Sequence, residues 1–265
     1  MSMTLSAIQL PLFTAPLKGR EEPPAPEPPA PEPPAPEPPT PEPGIDFSRI
    51  DCPNKALLLP TLNPAAVATV VTGLIASSMT GAPASAALAL TFNDTAGSLS
   101  YSFNPNDPNA LVTATGTLGE AAYTENWAVN TETGAITVTG TIGESTQELT
   151  FSECEEQNAM FINGRVGDLA VSQKLFLVES QSGDESRSRL VVDGAIGGRS
   201  YHQELSLLGE SEGGSAIGTS GYLAGSDLNQ VILTSSTETG ANTLAAGDVA
   251  GVEVTLNADL VMAQP

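Results

Sequence analysis

One short phrase recurs through the middle of the chain and leaves it few folds. Gly116-Thr-Leu-Gly119-Glu120 returns as Gly140-Thr-Ile-Gly143-Glu144, as Gly164-Arg-Val-Gly167-Asp168 and as Gly194-Ala-Ile-Gly197-Gly198, with first glycines 24, 24 and 30 residues apart. Internal repeats of this kind mark one supersecondary unit copied along a chain. The flanks repeat as well. Val112/Ala114, Ile136/Val138, Met160/Ile162 and Leu190/Val192 stand four and two residues before the first glycine. Trp127, Phe151, Leu175 and Leu205 stand eight residues after the second. Apolar residues at alternate positions on both sides of a glycine turn define a β-hairpin with one buried face.

Strand-like segments run from residue 86 onward, at 86–92, 97–103, 110–118, 121–129, 134–142, 145–153, 158–166, 169–179, 187–196, 199–208, 214–223, 229–236 and 249–262. Polar turns separate them. Neighbours joined by loops this short must be antiparallel, because a parallel pair needs a long crossover. The expected fold is mainly β: an antiparallel β-meander of G-x-[LIV]-G hairpins, closed as a barrel or folded as a sandwich. The pattern weakens after Gly225, where Gly221-Tyr-Leu-Ala-Gly225 reads as one residue too long and suggests a bulge. In an open sheet, the two end strands would be free to pair between chains.

The region before the sheet is different. Residues 1–22 lack the leading positive charge and unbroken apolar core of a signal peptide and read as a disordered tail. Residues 23–43, PPAPEPPAPEPPAPEPPTPEP, place Glu27, Glu32, Glu37 and Glu42 in register on a polyproline II spacer. At ~3.1 Å per residue such a spacer would reach roughly 65 Å. It resembles the Pro/Glu-rich spacers of bacterial envelope proteins, such as TonB-type periplasmic stretches and the stalks behind lipoprotein anchors, though without Lys-Pro blocks. That resemblance implies an exported or cell-envelope setting. Residues 44–85 form a lead-in and one short helix: Asn63 and Pro64 are start signals and Gly81-Ala-Pro83 a stop. Pro60, Pro64 and Pro83 leave less than the ~20 residues of a membrane span. A second reading treats Lys55, the apolar run and Ala84-Ser85-Ala86 as an internal targeting signal.

With 9 basic against 31 acidic residues and a net charge of -22, nucleic acid is not an expected partner. The two cysteines, Cys52 and Cys154, lack zinc or thioredoxin spacing. In an oxidising compartment they would form one disulfide.

No catalytic constellation stands out. Ser200, His202 and Glu204 share one strand face, but same-face neighbours lie nearly 7 Å apart, too far for a nucleophile and its base. Glu120, Glu144 and Asp168 recur at the turns, where calcium ligation or a carboxylate pair is conceivable, but their repetition makes them turn residues. The same holds for the oxygen-rich loop Asn104–Asn109. Thr113, Thr115, Thr117, Thr137, Thr139 and Thr141 point away from the apolar set, as a solvent face would. Tyr123, Glu125, Trp127, Gln173, Tyr201 and Gln203 share the apolar face and would line a closed barrel as a weak ligand face. The chain therefore reads as a non-enzymatic, exported or envelope surface or structural binding module without cofactor or metal. Its partner would be a protein, a glycan or a second copy. The alternative is a barrel that binds a small apolar or amphipathic ligand, and a carboxylate-dependent hydrolase comes third.

Overall fold

The computed structural model describes residues 61–262 except 183 and 184, with the side chains of 181, 182, 185 and 186 also left aside. It begins with one helix, α1 (Pro64–Thr80). The Asn63 side chain caps it by accepting from the Ala65 N–H at 3.0 Å, and Gly81 ends it at φ 66°. Both ends match the start and stop signals in the sequence.

Fourteen strands follow as hairpins. They are β1 (Ala84–Phe92) with β2 (Thr95–Phe103), β3 (Val112–Leu118) with β4 (Ala121–Val129), and β5 (Ile136–Ile142) with β6 (Ser145–Cys154). Then come β7 (Ala159–Val166) with β8 (Leu169–Ser182), and β9 (Glu185–Ile196) with β10 (Arg199–Ser211). The last four are β11 (Gly214–Leu223) with β12 (Ser226–Ser236), and β13 (Gly240–Val249) with β14 (Val252–Met262). Each pairs antiparallel with its sequence neighbours, and β1 pairs with β14 from Ala84↔Met262 to Phe92↔Val254. The meander is a closed barrel. The sandwich is excluded, and no end strand is left with an open edge.

The repeat explains the regularity. Two-residue turns close every hairpin at one end of the barrel, and connections of varied length, from two residues between β10 and β11 to eight between β2 and β3, lie at the other. Gly119, Gly143 and Gly167 take positive φ at the first turn position, as type II′ turns require, whereas Gly197 and Gly198 are both positive, as in type I′. The phrase at Gly221 is not one residue too long. Its turn is Ala224-Gly225, both at positive φ, so the glycine has moved to the second turn position while the spacing is unchanged. The same happens at Gly247, where the Ala250-Gly251 turn falls inside the expected strand 249–262, so that β14 starts at Val252 and β13 (Gly240–Val249) is a strand the pattern did not reveal. The bulge lies elsewhere, between Leu207 and Gly209 of β10.

The first glycine of each phrase has a different role. A Cβ on Gly140 would sit 2.0 Å from the Thr124 carbonyl oxygen, and one on Gly221 would sit 2.0 Å from that of His202. These inner-wall glycines let the strands coil tightly enough for the barrel to close.

Side chains alternate along the strands, with a break at the β10 bulge. Leu88, Leu99, Phe103, Val112, Val138, Ile142 and Leu149 point inward and are at most 1% exposed. The threonines at 115, 117, 139 and 141 point outward and are exposed. Threonine also bridges strands on that outer wall, Thr124 Oγ1 lying 2.8 Å from Thr141 Oγ1.

Helix α1 lies within this interior against β13, β14, β1 and β2. Ala65, Ala66 and Val70 are at most 1% exposed and join the barrel core. Gly73 is required by contact, since a Cβ there would come within 2.4 Å of the Phe103 ring. Burial of this face outweighs the modest helix propensity of its β-branched valines.

Candidate functional site

Polar groups on the inner wall follow the repeat. Nine residues after the first glycine stand Glu125, Gln173, Gln203 and Gln230, on β4, β8, β10 and β12. All four are at most 4% exposed. Each faces a glycine across the ladder: Glu125 opposite Gly140, Gln173 opposite Gly194, Gln203 opposite Gly221 and Gln230 opposite Gly247. Gln230 leaves both amide atoms without a hydrogen-bond partner, and the Tyr101 hydroxyl is likewise unpaired. Buried groups in that condition are uncommon.

The candidates Tyr123, Glu125 and Trp127 come together on β4, all buried. The Tyr123 hydroxyl donates to Glu125 Oε2, and the Trp127 indole N–H donates to Oε1. Trp127 stacks on Phe151 with centroids 5.6 Å apart. From the segment leading into α1, Thr61 Oγ1 lies 3.3 Å from Glu125 Oε2 and 3.2 Å from Gln147 Oε1. Burial pushes the Glu125 carboxyl up to about 7, held from going further by hydrogen bonds from Trp127, Thr61 and Gln147. Burial, then the charge of Glu125, holds the Tyr101 phenol well above its ordinary range.

The candidates Gln173, Tyr201 and Gln203 lie on a different part of the wall. Tyr201 donates to Gln203 Oε1 at 2.6 Å, and burial raises the Tyr201 phenol. Sequence reasoning missed Gln147, Gln230 and Thr61. Gln147 holds the place of Tyr123, seven residues after the first glycine, and Gln230 that of Glu125. Following the repeat past Gly225 would have found Gln230, whereas nothing local singles out Thr61.

The same inner wall has a second feature. One apolar row runs around it through Leu177, Leu190, Leu205 and, past a step along β10, Leu207, Ile217, Ile232 and Ala245. Ile232 and Ala245, toward the α1 side, are sealed at 1% and 7% exposure; Leu177 and Leu207 are open at 36% and 56%. The inner wall is sealed along most of its length, at Gln173 and Gln203 as at Ile232, and opens only at Leu177 and Leu207 toward the far ends of β8 and β10.

The outer wall holds His202. Its Nδ1 lies 2.5 Å from Asp193 Oδ1, its Nε2 lies 3.5 Å from Glu204 Oε1, and its ring stacks on Tyr222. Glu204 also pairs with Arg189 at 3.4 Å. These contacts tie three strands together as a cross-strand charge lattice. Glu120, Glu144 and Asp168 occupy exposed second turn positions. In the loop after β2, Asn104 and Asp107 side chains accept from the amides of Asn106 and Asn109, so those oxygens shape the turn.

Among the described residues, no group of three or more His, Cys, Asp or Glu is placed to hold a metal, and no helix is long and apolar enough to cross a membrane. Cys154, half-buried at the end of β6, carries a free thiol. Cys52, the spacer and the lead-in to residue 60 lie outside the described residues, and the expected bridge falls outside them too.

Fold and site together define the class: a closed antiparallel barrel of fourteen strands whose mainly apolar inner wall carries a set of buried polar groups and packs against a helix. Comparison with protein-family models, curated proteins and solved structures gave no match to this chain.

Proposed function

We propose that this protein is a non-enzymatic binding module, and that its barrel takes a small amphipathic ligand in the part of the lumen away from α1. The observation that carries this reading is the exposure of Leu177 and Leu207 at the end of an apolar row whose Leu190, Leu205 and Ile217 are half-buried and whose Ile232 and Ala245 are sealed. Apolar side chains left open to solvent at a barrel mouth are a characteristic ligand surface. The buried carboxamides of Gln173, Gln203 and Gln230 lie on the same wall as these leucines and would set the polarity a ligand meets further in. The Pro/Glu spacer, read from the sequence, supports display in an exported or envelope setting.

The test is a titration of the full chain with 1-anilinonaphthalene-8-sulfonate, then competition by a medium-chain alcohol. Leu207→Glu, a change on an exposed side chain, is expected to weaken probe binding by about tenfold or more. Equal binding by wild type and variant would rule the lumen out.

A second reading, contact with a protein partner or a second copy, is favoured by one outer-wall patch. Val231, Leu233 and Leu244 are 47–49% exposed there, beside Ala89 and Ala246. Light scattering at two concentrations, for wild type and Leu233→Lys, tests self-association. A concentration-independent monomer mass would reject that part of the reading.

A further inference from the structure

Thr61, Glu125 and Gln147 meet inside the barrel as a nucleophile, a base and an electrophile. Thr61 Oγ1 lies 3.3 Å from Glu125 Oε2 and 3.2 Å from Gln147 Oε1. The Gln147 carbonyl carbon is one C=O bond, ~1.23 Å, from that oxygen, so a small side-chain rotation brings Cδ within attacking distance of Oγ1. All three residues are at most 3% exposed. Water, which would compete with the hydroxyl for the carboxamide, is kept away from them.

A hydroxyl does not attack a carboxamide unaided. The nucleophile needs a base to take its proton, and the leaving nitrogen needs an acid. The Thr61 hydroxyl can donate to Glu125 Oε2, which leaves an Oγ1 lone pair for Gln147. Burial lifts the Glu125 carboxyl to about 7, so it is a stronger base than a solvated glutamate. The Trp127 indole N–H donates to Oε1 and fixes the orientation of the carboxyl group. On the other side, the Tyr123 hydroxyl donates to Glu125 Oε2 and accepts from Gln147 Nε2 at 3.5 Å. A continuous path therefore runs from the proton of the nucleophile to the nitrogen that must leave.

We propose that Thr61 and Gln147 join in an intramolecular ester bond, formed by the chain itself with Glu125 as general base and Tyr123 as proton relay. As Oγ1 bonds to Cδ, the Thr61 proton passes to Glu125. As the Cδ–Nε2 bond breaks, Glu125 returns a proton through Tyr123 to the nitrogen, which departs as ammonia. Nothing is oxidised or reduced, and no co-reactant is consumed. Each molecule needs only one turnover, so even a slow step runs to completion as ammonia escapes into solvent. The product ties the start of α1 to β6, so that a covalent bond adds to the packing that holds the helix. The bond stands on this junction alone, whether or not the lumen takes a ligand.

The experiment is peptide mass mapping of the full chain, aged for days at neutral pH, then denatured and digested. No lysine or arginine stands between Lys55 and Arg165, so trypsin releases Thr61 and Gln147 in one peptide, residues 56–165. In wild type that peptide is expected to be lighter by one ammonia. Cleavage after Glu120, Glu125, Glu132, Glu144 and Glu148 would otherwise part the two residues; here it is expected to leave 145–148 attached to the peptide that carries Thr61. Hydroxylamine, which cleaves esters, is expected to release it. Thr61→Val and Gln147→Leu are expected to abolish the joined peptide, and Thr61→Ser to keep it. Glu125→Gln is expected to lower its yield at a fixed time by about tenfold or more. Should that variant fail to fold, Thr61→Val, a change outside the strand ladder, carries the test. An unmodified 56–165 peptide in wild type would overturn the proposal. So would an ammonia loss confined to one residue, such as Asn163 before Gly164, or a joined peptide that persists in Thr61→Val or forms at full yield in Glu125→Gln.

Discussion

Two arcs of one inner wall, built from the same hairpin repeat, differ in what covers them. Along β13, β14, β1 and β2 the inward side chains meet α1 and are sealed, as at Leu88, 1% exposed. Along β8 and β10 the equivalent rows rise past the reach of the helix, and Leu177 and Leu207 stay open. The strands there are also longer, 14 residues in β8 and 13 in β10 against 9 each in β1 and β2. Repetition supplies a wall; what packs against it decides whether a leucine contributes stability or presents a surface.

The sharpest way to break this contrast is truncation on each side. Leu88→Ala removes a fully buried side chain and is expected to cost about 2–5 kcal/mol, measured by urea unfolding. A cost under about 1 kcal/mol would mean the sealed arc is loosely packed.

Next in size is the pH dependence of stability. Glu125 has a folded-state pKa raised from 4.5 to about 7. Between those values the native state holds a proton that the unfolded chain has lost, so stability falls as pH rises through that window and is level outside it. The loss is roughly 3 kcal/mol, at about 1.4 kcal/mol per pKa unit. Glu125→Gln is expected to remove that slope in unfolding curves at pH 5 and pH 8. A variant with the wild-type slope would assign the effect to other groups.

Gly73→Val tests the helix contact directly. The added Cβ meets the Phe103 ring, and an overpacked core of this kind is expected to lose about 1–3 kcal/mol, read as a lowered Tm. An unchanged Tm would show that α1 can shift without cost. Smallest is Leu207→Ala on the open arc, expected to change stability by less than about 0.5 kcal/mol. A loss comparable to that of Leu88→Ala would erase the distinction between the arcs.

Much of the wall is legible in the sequence. Alternation around Gly116, Gly140, Gly164 and Gly194 identifies the hairpins, their antiparallel order and the inward residues Tyr123, Glu125, Trp127, Gln173, Tyr201 and Gln203. Asn63, Pro64 and Gly81 mark the helix. The pattern misleads at Gly221 and Gly247, where the turn glycine moves by one position while the spacing holds. A motif tied to the second glycine loses both copies, and with them Gln230 and the strand β13.

What the sequence determined by itself is whatever a two-residue period and a turn can dictate: strand after strand, and which face of each is apolar. These are local properties, set by backbone sterics and side-chain alternation within a few residues. Only the tertiary structure decided that β1 meets β14, that α1 lies inside rather than upon the sheet, and that Thr61 reaches Glu125 and Gln147. Thr61 and Glu125 are 64 positions apart in the chain, and Thr61 and Gln147 are 86 apart. The partners on β1 and β14 stand at opposite ends of the barrel sequence, as Ala84 and Met262 do. Such contacts depend on summed strand coiling and on the volume left within the wall, which no local pattern encodes.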